Sequence, residues 1–182
     1  MRKSKKFPLT IFFLLSMGVI SFATPVCPPL KSKKVTSYKL YLGMPVSELV
    51  KKGFYKFRTD EAGLIADYVL TGLEKYDMIV CSAYKDRIFR IGLFFKDKSI
   101  ENFNLIKRIL IRKYGNISYT QNVNGKKHFL WDINVEGKRV FVILIRDLSG
   151  NTLAVSYIYK CVQDLVNREI DKARTNALKN EL

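Results

Sequence analysis

The sequence predicts an α+β fold, an antiparallel β-meander sheet packed with two or three amphipathic helices. Three observations carry that expectation. Tyr76–Tyr84 and Arg87–Phe95 are strand-like runs around a tight turn, and three more runs follow at 127–133, 138–146 and Leu153–Tyr159. Between the two groups, over residues 99–114, the apolar period lengthens to three and four, as on one face of a helix, and it does so again after Val162. The connectors at 134–137 and 147–152 are short and contain glycine, as loops between adjacent antiparallel strands often do.

Taken in chain order, the first residues read as an address. MRKSKK carries four positive charges and no acid, and an apolar stretch follows to Phe22. Ser21 and Ala23 supply the small residues of a cleavage site between Ala23 and Thr24, so residues 1–23 form a signal peptide. The apolar core is short of the roughly 20 residues that a membrane span needs. No later stretch is long and uncharged enough to span, so the expected mature chain has no transmembrane segment. It is exported, to the periplasm or the extracellular space, and can associate with the cell envelope.

Residues 24–35, with Pro28-Pro29 and the run KSKK, read as an extended linker before a single domain over 36–182. Residues 36–42 alternate as in a short strand. Pro45 suits a first helical turn, Val46, Leu49 and Val50 give that helix an apolar face, and Gly53 ends it. Residues 64–70 can form a strand. The hairpin that follows turns at Lys85-Asp86, without the favoured Asn-Gly or Asp-Gly pair. In the next helix Ser99 can cap the start and Glu101 suits the positive end of the dipole. Lys107, Arg108, Arg112 and Lys113 suit the other end, and Gly115 stops it. The run 140–145 is VFVILI, apolar on both faces, so both must be covered. Amphipathic helices can cover one face; the other must meet a second layer or a partner, unless helices flank both. Val162, Leu165, Val166, Ile170, Ala173 and Ala177 mark a C-terminal helix.

Charge and cysteines bound the function. The chain carries +16, and +12 remains on 159 residues once the leader's four charges are removed. Export takes nucleic acid out of the expected partners. A protein partner or an anionic envelope component is left, such as lipid head groups, acidic polysaccharide or an acidic protein surface. Cys27, Cys81 and Cys161 are the only cysteines. Cys81 with Cys161 is one candidate disulfide; Cys27 with Cys161 would instead pin the N-terminal tail. Cys27 is otherwise a tail thiol or a lipid anchor, although Val26 before it is larger than lipoprotein processing prefers.

YLGMPVSELVKKGFY, residues 41–55, resembles the Gly-Met-x-x-x-Glu-Leu opening of small exported bacterial domains. These include the SmpA/OmlA (BamE-like) lipoproteins and β-lactamase-inhibitor-like repeats. Gly43, Met44, Glu48 and Leu49 carry the match. DRIFRIGLFF, Lys113-Tyr114-Gly115 and Trp131 are similar to a later pattern in such proteins. The resemblance implies a helix with an antiparallel meander, used for protein contact rather than chemistry. Pro45 departs from the usual Ser or Thr at the helix start.

Catalytic and metal patterns are sparse. His128 is the sole histidine. In a strand it would share a face with Leu130 and Asp132, and a nearby cysteine would complete a hydrolytic group. The cysteines lack zinc-site spacing and no glycine loop suits phosphate, so no cofactor is expected. The expected function is a non-enzymatic binding or protein-interaction domain. A peripheral or lipid-anchored envelope protein of the outer-membrane-assembly type, and a small hydrolase using His128, are the alternatives.

Overall fold

The structure is a computed structural model that describes Cys27, Pro28, Leu30, Thr36, Ser37 and residues 39–147 and 149–181. The signal peptide and its cleavage point at Ala23 and Thr24 lie outside the described residues. The elements in order are β1 (Thr36–Ser37), β2 (Leu40–Tyr41), α1 (Val46–Lys51), β3 (Tyr55–Thr59), β4 (Ile65–Thr71), β5 (Tyr76–Tyr84) and β6 (Arg87–Phe95). Then come α2 (Ile100–Tyr114), β7 (Tyr119–Val123), β8 (Lys126–Val135), β9 (Lys138–Asp147), β10 (Leu153–Tyr159) and α3 (Lys160–Glu181).

Apart from the β1–β2 hairpin, the strands form one eight-stranded sheet in the order β3-β4-β5-β6-β10-β9-β8-β7. All its pairings are antiparallel. The mixed α+β class and the antiparallel meander are therefore as the sequence predicts. The sheet is built from two meanders, β3 to β6 and β7 to β10, each preceded by a helix. Each meander starts at an outer edge and ends at the centre, where β6 meets β10 with Leu93 opposite Val155 and Ile91 opposite Tyr157. The order reads alike from either edge, so the two halves are related by an approximate two-fold axis through the sheet.

Tight turns set the register. Lys85-Asp86, Asn124-Gly125 and Glu136-Gly137 each place two consecutive residues at positive φ. That is the twist a two-residue hairpin needs to match its strands. Lys85 and Asp86 adopt it without a glycine. The Lys85 ammonium lies 4.8 Å from the centre of the Tyr84 ring and 3.9 Å from the Glu169 carboxylate.

One face of the sheet carries the core. On β9, Val140, Val142 and Leu144 are fully buried, and they pair with Tyr159, Tyr157 and Val155 on β10. Helix α2 lies on this face: Phe103 packs against Phe129 of β8 at 5.5 Å between ring centres, and Trp131 Nε1 donates to the Gly115 carbonyl at 2.9 Å. Ser99 caps α2 by accepting from the Asn102 amide at 3.2 Å. Leu40, Leu42, Met44 and Leu49 join the same apolar cluster.

The N-terminal segment completes the sheet where β10 leaves it. The β6–β10 pairing ends at Arg90 opposite Ile158, after which β10 turns into α3. Residues 43–46 take over beside the start of β6. The Gly43 amide donates to the Ile88 carbonyl at 2.7 Å, Ile88 donates to Met44 at 3.0 Å, and Val46 donates to Asp86 at 3.0 Å. Gly43 has φ 88°, and a Cβ there would stand 2.0 Å from the Leu30 carbonyl oxygen. Only glycine lets Leu30 approach so closely. Of the expected linker over 24–35, the described residues lie against the domain. Leu30 is 1% exposed, and the Tyr159 hydroxyl donates to the Pro28 carbonyl at 2.7 Å.

Candidate functional site: the open face of the sheet

Side chains alternate across a strand, so the residues between the core positions point the other way. On β9 these are Phe141, Ile143 and Ile145, and all three are only half-buried. Their neighbours on β10 are Ile158, Ser156 and Ala154, which pair in turn with Arg90, Gly92 and Phe94 of β6. This face forms a cavity of about 580 Å³ lined by Tyr55, Phe57, Val69, Met78, Phe94 and Ile145 among others. Tyr55, Phe57 and Met78 are 52%, 65% and 36% exposed. The dual apolar character of VFVILI is thus resolved asymmetrically. One face is closed by helix and N-terminal segment, and the other stays open over much of its area.

Polar groups gather at one end of the open face. Asp67 of β4 is 7% exposed and accepts from Arg58 Nε and from Ser82 Oγ, each at 2.6 Å. Ser82 stands opposite Arg90 in the sheet register. Arg90 Nη2 donates to Gln163 Oε1 of α3 at 2.5 Å. Its buried Nε has no hydrogen-bond partner among the described residues. Burial lowers the pKa of this guanidinium, with the Asp67 charge acting in opposition. A second cavity, about 600 Å³, separates this group from Ile170, Ala173 and Ala177 of α3. The helix is held over that end by the Tyr84 hydroxyl, which donates to the Glu169 carboxylate at 2.8 Å.

The cysteines settle into one bond and one buried thiol. Cys27 is joined to Cys161, with Cα atoms 5.7 Å apart. This corrects the Cys81–Cys161 alternative. Cys81 lies opposite Ile91, and Ile91 opposite Tyr157, so Cys81 sits two strands from β10, about 10 Å away in the sheet direction. A disulfide does not reach that far. The Cys81 thiol is fully buried on the core face, and burial pushes its pKa far up, with the Asp67 charge adding to the effect. Cys27, in turn, has no free sulfur to carry a lipid.

His128 stands apart from both Asp132 and Cys81. It is half-buried on the open face between Gln121 and Ile145. Asp132, four residues along the same strand and so about 13 Å away, is ion-paired with Arg139. Cys81 is on the opposite face. Among the described residues, no three His, Cys, Asp or Glu side chains cluster to hold a metal, and no helix is long and apolar enough to cross a membrane.

No protein-family model matches this chain, and no curated protein matches it. Similar solved structures include a DUF4309 family protein from Bacillus subtilis. It is 14% identical, with a TM-score of 0.32 over 50% of this chain and 68% of that one. Another is a cysteine-rich secretory protein from Staphylococcus aureus, 16% identical with a TM-score of 0.37 over 65% of this chain. This chain covers 43% of the length of that second protein.

Proposed function

We propose that this is an exported, non-enzymatic protein-interaction domain that holds an extended protein segment across the open face of its sheet. The observation that carries the reading is the half-buried row Phe141, Ile143 and Ile145, continued by Phe94, Met78 and Phe57. A contiguous exposed apolar surface of this kind marks an interaction site more often than it marks ordinary surface. Arg90, which lines one end of this face, offers guanidinium donors to a carboxylate of the segment. The favoured ligand is therefore apolar and acidic, which also suits the charge of +12 left once the leader's four positive charges are removed. The leader-like first residues and the Cys27–Cys161 bond support export to an oxidising compartment, periplasmic or extracellular. A helix-plus-meander used for protein contact is also what the Gly43-Met44 resemblance implies.

The test is selection from a random linear-peptide display library on immobilised protein. Peptides rich in apolar and acidic residues should enrich on the wild type. Ile143→Asp and Phe94→Asp variants that keep the wild-type circular dichroism should lose them. Enrichment that survives both substitutions, or no enrichment at all, would remove the open face as the binding site.

A further inference from the structure

On the helix-covered side, away from the open face, three cations converge on two aromatic rings. Lys107 comes from α2, Lys127 from β8 and Arg146 from β9. The Lys107 ammonium lies 4.5 Å from the centre of the Phe129 ring and 6.0 Å from that of Phe103. Lys127 is 5.5 Å from Phe129, and the Arg146 guanidinium carbon is 5.0 Å from Phe103. Together with Asp147 they line a cavity of about 360 Å³.

A lysine stem lying on a ring is ordinary packing. Three cations drawn from three elements are not explained that way. Lys127 and Arg146 stand directly opposite each other in the β8–β9 register, where like charges are destabilising. None of the three forms an ion pair among the described residues. The one acid present is already engaged: Asp147 Oδ1 accepts from the Ser149 amide at 2.9 Å and from its hydroxyl at 2.8 Å. Those bonds hold its carboxyl below the usual range, so it stays ionised. The pocket then carries three positive charges and one negative. Its excess of two matches the charge of a phosphate ester, which is close to −2 at neutral pH. The Arg146 fork and two ammonium groups also match an anion that offers several oxygens in different directions.

We propose that Lys107, Lys127 and Arg146, over Phe103 and Phe129, form a binding site for a dianionic phosphoryl group. The group can arrive on a soluble phosphate ester or on a phosphomonoester lipid head group, and the chemistry is the same for both.

The test uses the purified protein with its disulfide intact, and NMR of the lysine ammonium and arginine guanidinium groups. Inorganic phosphate is titrated at constant ionic strength against chloride. Saturable shifts confined to Lys107, Lys127 and Arg146 are expected. They should tighten from pH 5 to 8 as inorganic phosphate loses its second proton and becomes a dianion. A K107Q/K127Q variant should bind at least about tenfold more weakly. Its urea midpoint should be unchanged or raised, because one like-charge pair is relieved. A second arm uses phosphatidylcholine vesicles with and without phosphatidic acid. Binding to phosphatidic acid that the double variant loses assigns the lipid source; phosphate binding without vesicle binding assigns the soluble one. Unsaturated shifts spread over all lysines, or phosphate and vesicle binding unchanged in K107Q/K127Q, would overturn the proposal.

Discussion

Reducing the Cys27–Cys161 bond should cost this domain a large part of its stability. The bond spans 134 residues, nearly the whole described chain. Closing a loop of that length removes unfolded-state entropy equivalent to about 5 kcal/mol at 25 °C, if the native state holds the bond without strain. Domains of this class are stable by only about 5–15 kcal/mol in total. The folded-state contacts beside the bond are not lost at once. Leu30 stays buried under Gly43, and Pro28 keeps the Tyr159 hydroxyl. The measurement is equilibrium unfolding in urea, with and without reductant, followed by the fluorescence of Trp131, the sole tryptophan and fully buried. With a slope of about 2 kcal/mol per molar urea, the midpoint should fall by about 2.5 M on reduction. C27S and C161S variants should match the reduced protein, with or without reductant. A fall of less than about 0.5 M would refute the loop-closure reasoning. So would a C81S variant that behaved like the reduced protein, since Cys81 makes no bond.

Three further outcomes follow from the packing. Gly43→Ala should destabilise by about 2–3 kcal/mol or more, because it combines a positive φ with a Cβ driven into the Leu30 carbonyl; a thermal melt within a degree of wild type would contradict this. Leu144→Ala, on the closed face of β9, should cost about 2–5 kcal/mol, whereas Ile145→Ala, on the open face, should cost about 1 kcal/mol and act on binding instead. Equal losses in urea titrations would mean that the two faces are not differently covered. His128 is held below its usual pKa of 6.5, chiefly by burial and then by the Lys126 charge. The unfolded chain therefore binds this proton more readily, and its contribution to stability is complete above pH 6.5 and lost as pH falls through the folded value. An H128Q variant should flatten the slope of stability against pH across that window.

Much of this fold was legible because its central elements are half-buried. The hairpin of β5 and β6 has the bounds that the strand runs predict, and α2 begins one residue after its Ser99 cap. The edge strands were not legible. Every residue of β3 and β7 is exposed, so neither shows the alternation that burial of one face imposes. The Asn124-Gly125 pair was the one local signal for β7, since that dipeptide favours a two-residue hairpin turn. The open face announced itself only as a strand apolar on both sides. The polar group at its end and the cation cluster behind it could not be read from sequence. Asp67, Ser82, Arg90 and Gln163 meet across three strands and a helix, and Lys107, Lys127 and Arg146 meet across a helix and two strands. Neither set has a spacing that sequence alone reveals. The disulfide partner of Cys161 was likewise a matter of tertiary distance.

The Cys27–Cys161 bond also decides how the domain would carry mechanical load. Suppose tension is applied between the chain ahead of Cys27 and the chain beyond Cys161. The pull passes from sulfur to sulfur and bypasses all of residues 28–160. The eight-stranded sheet lies entirely inside that bypassed span, so it is neither sheared nor unzipped. Only the leading segment and the remainder of α3 can lengthen. Reduction would reroute the same force through residues 43–46 and the end of β10, where a few backbone hydrogen bonds beside β6 would have to bear it.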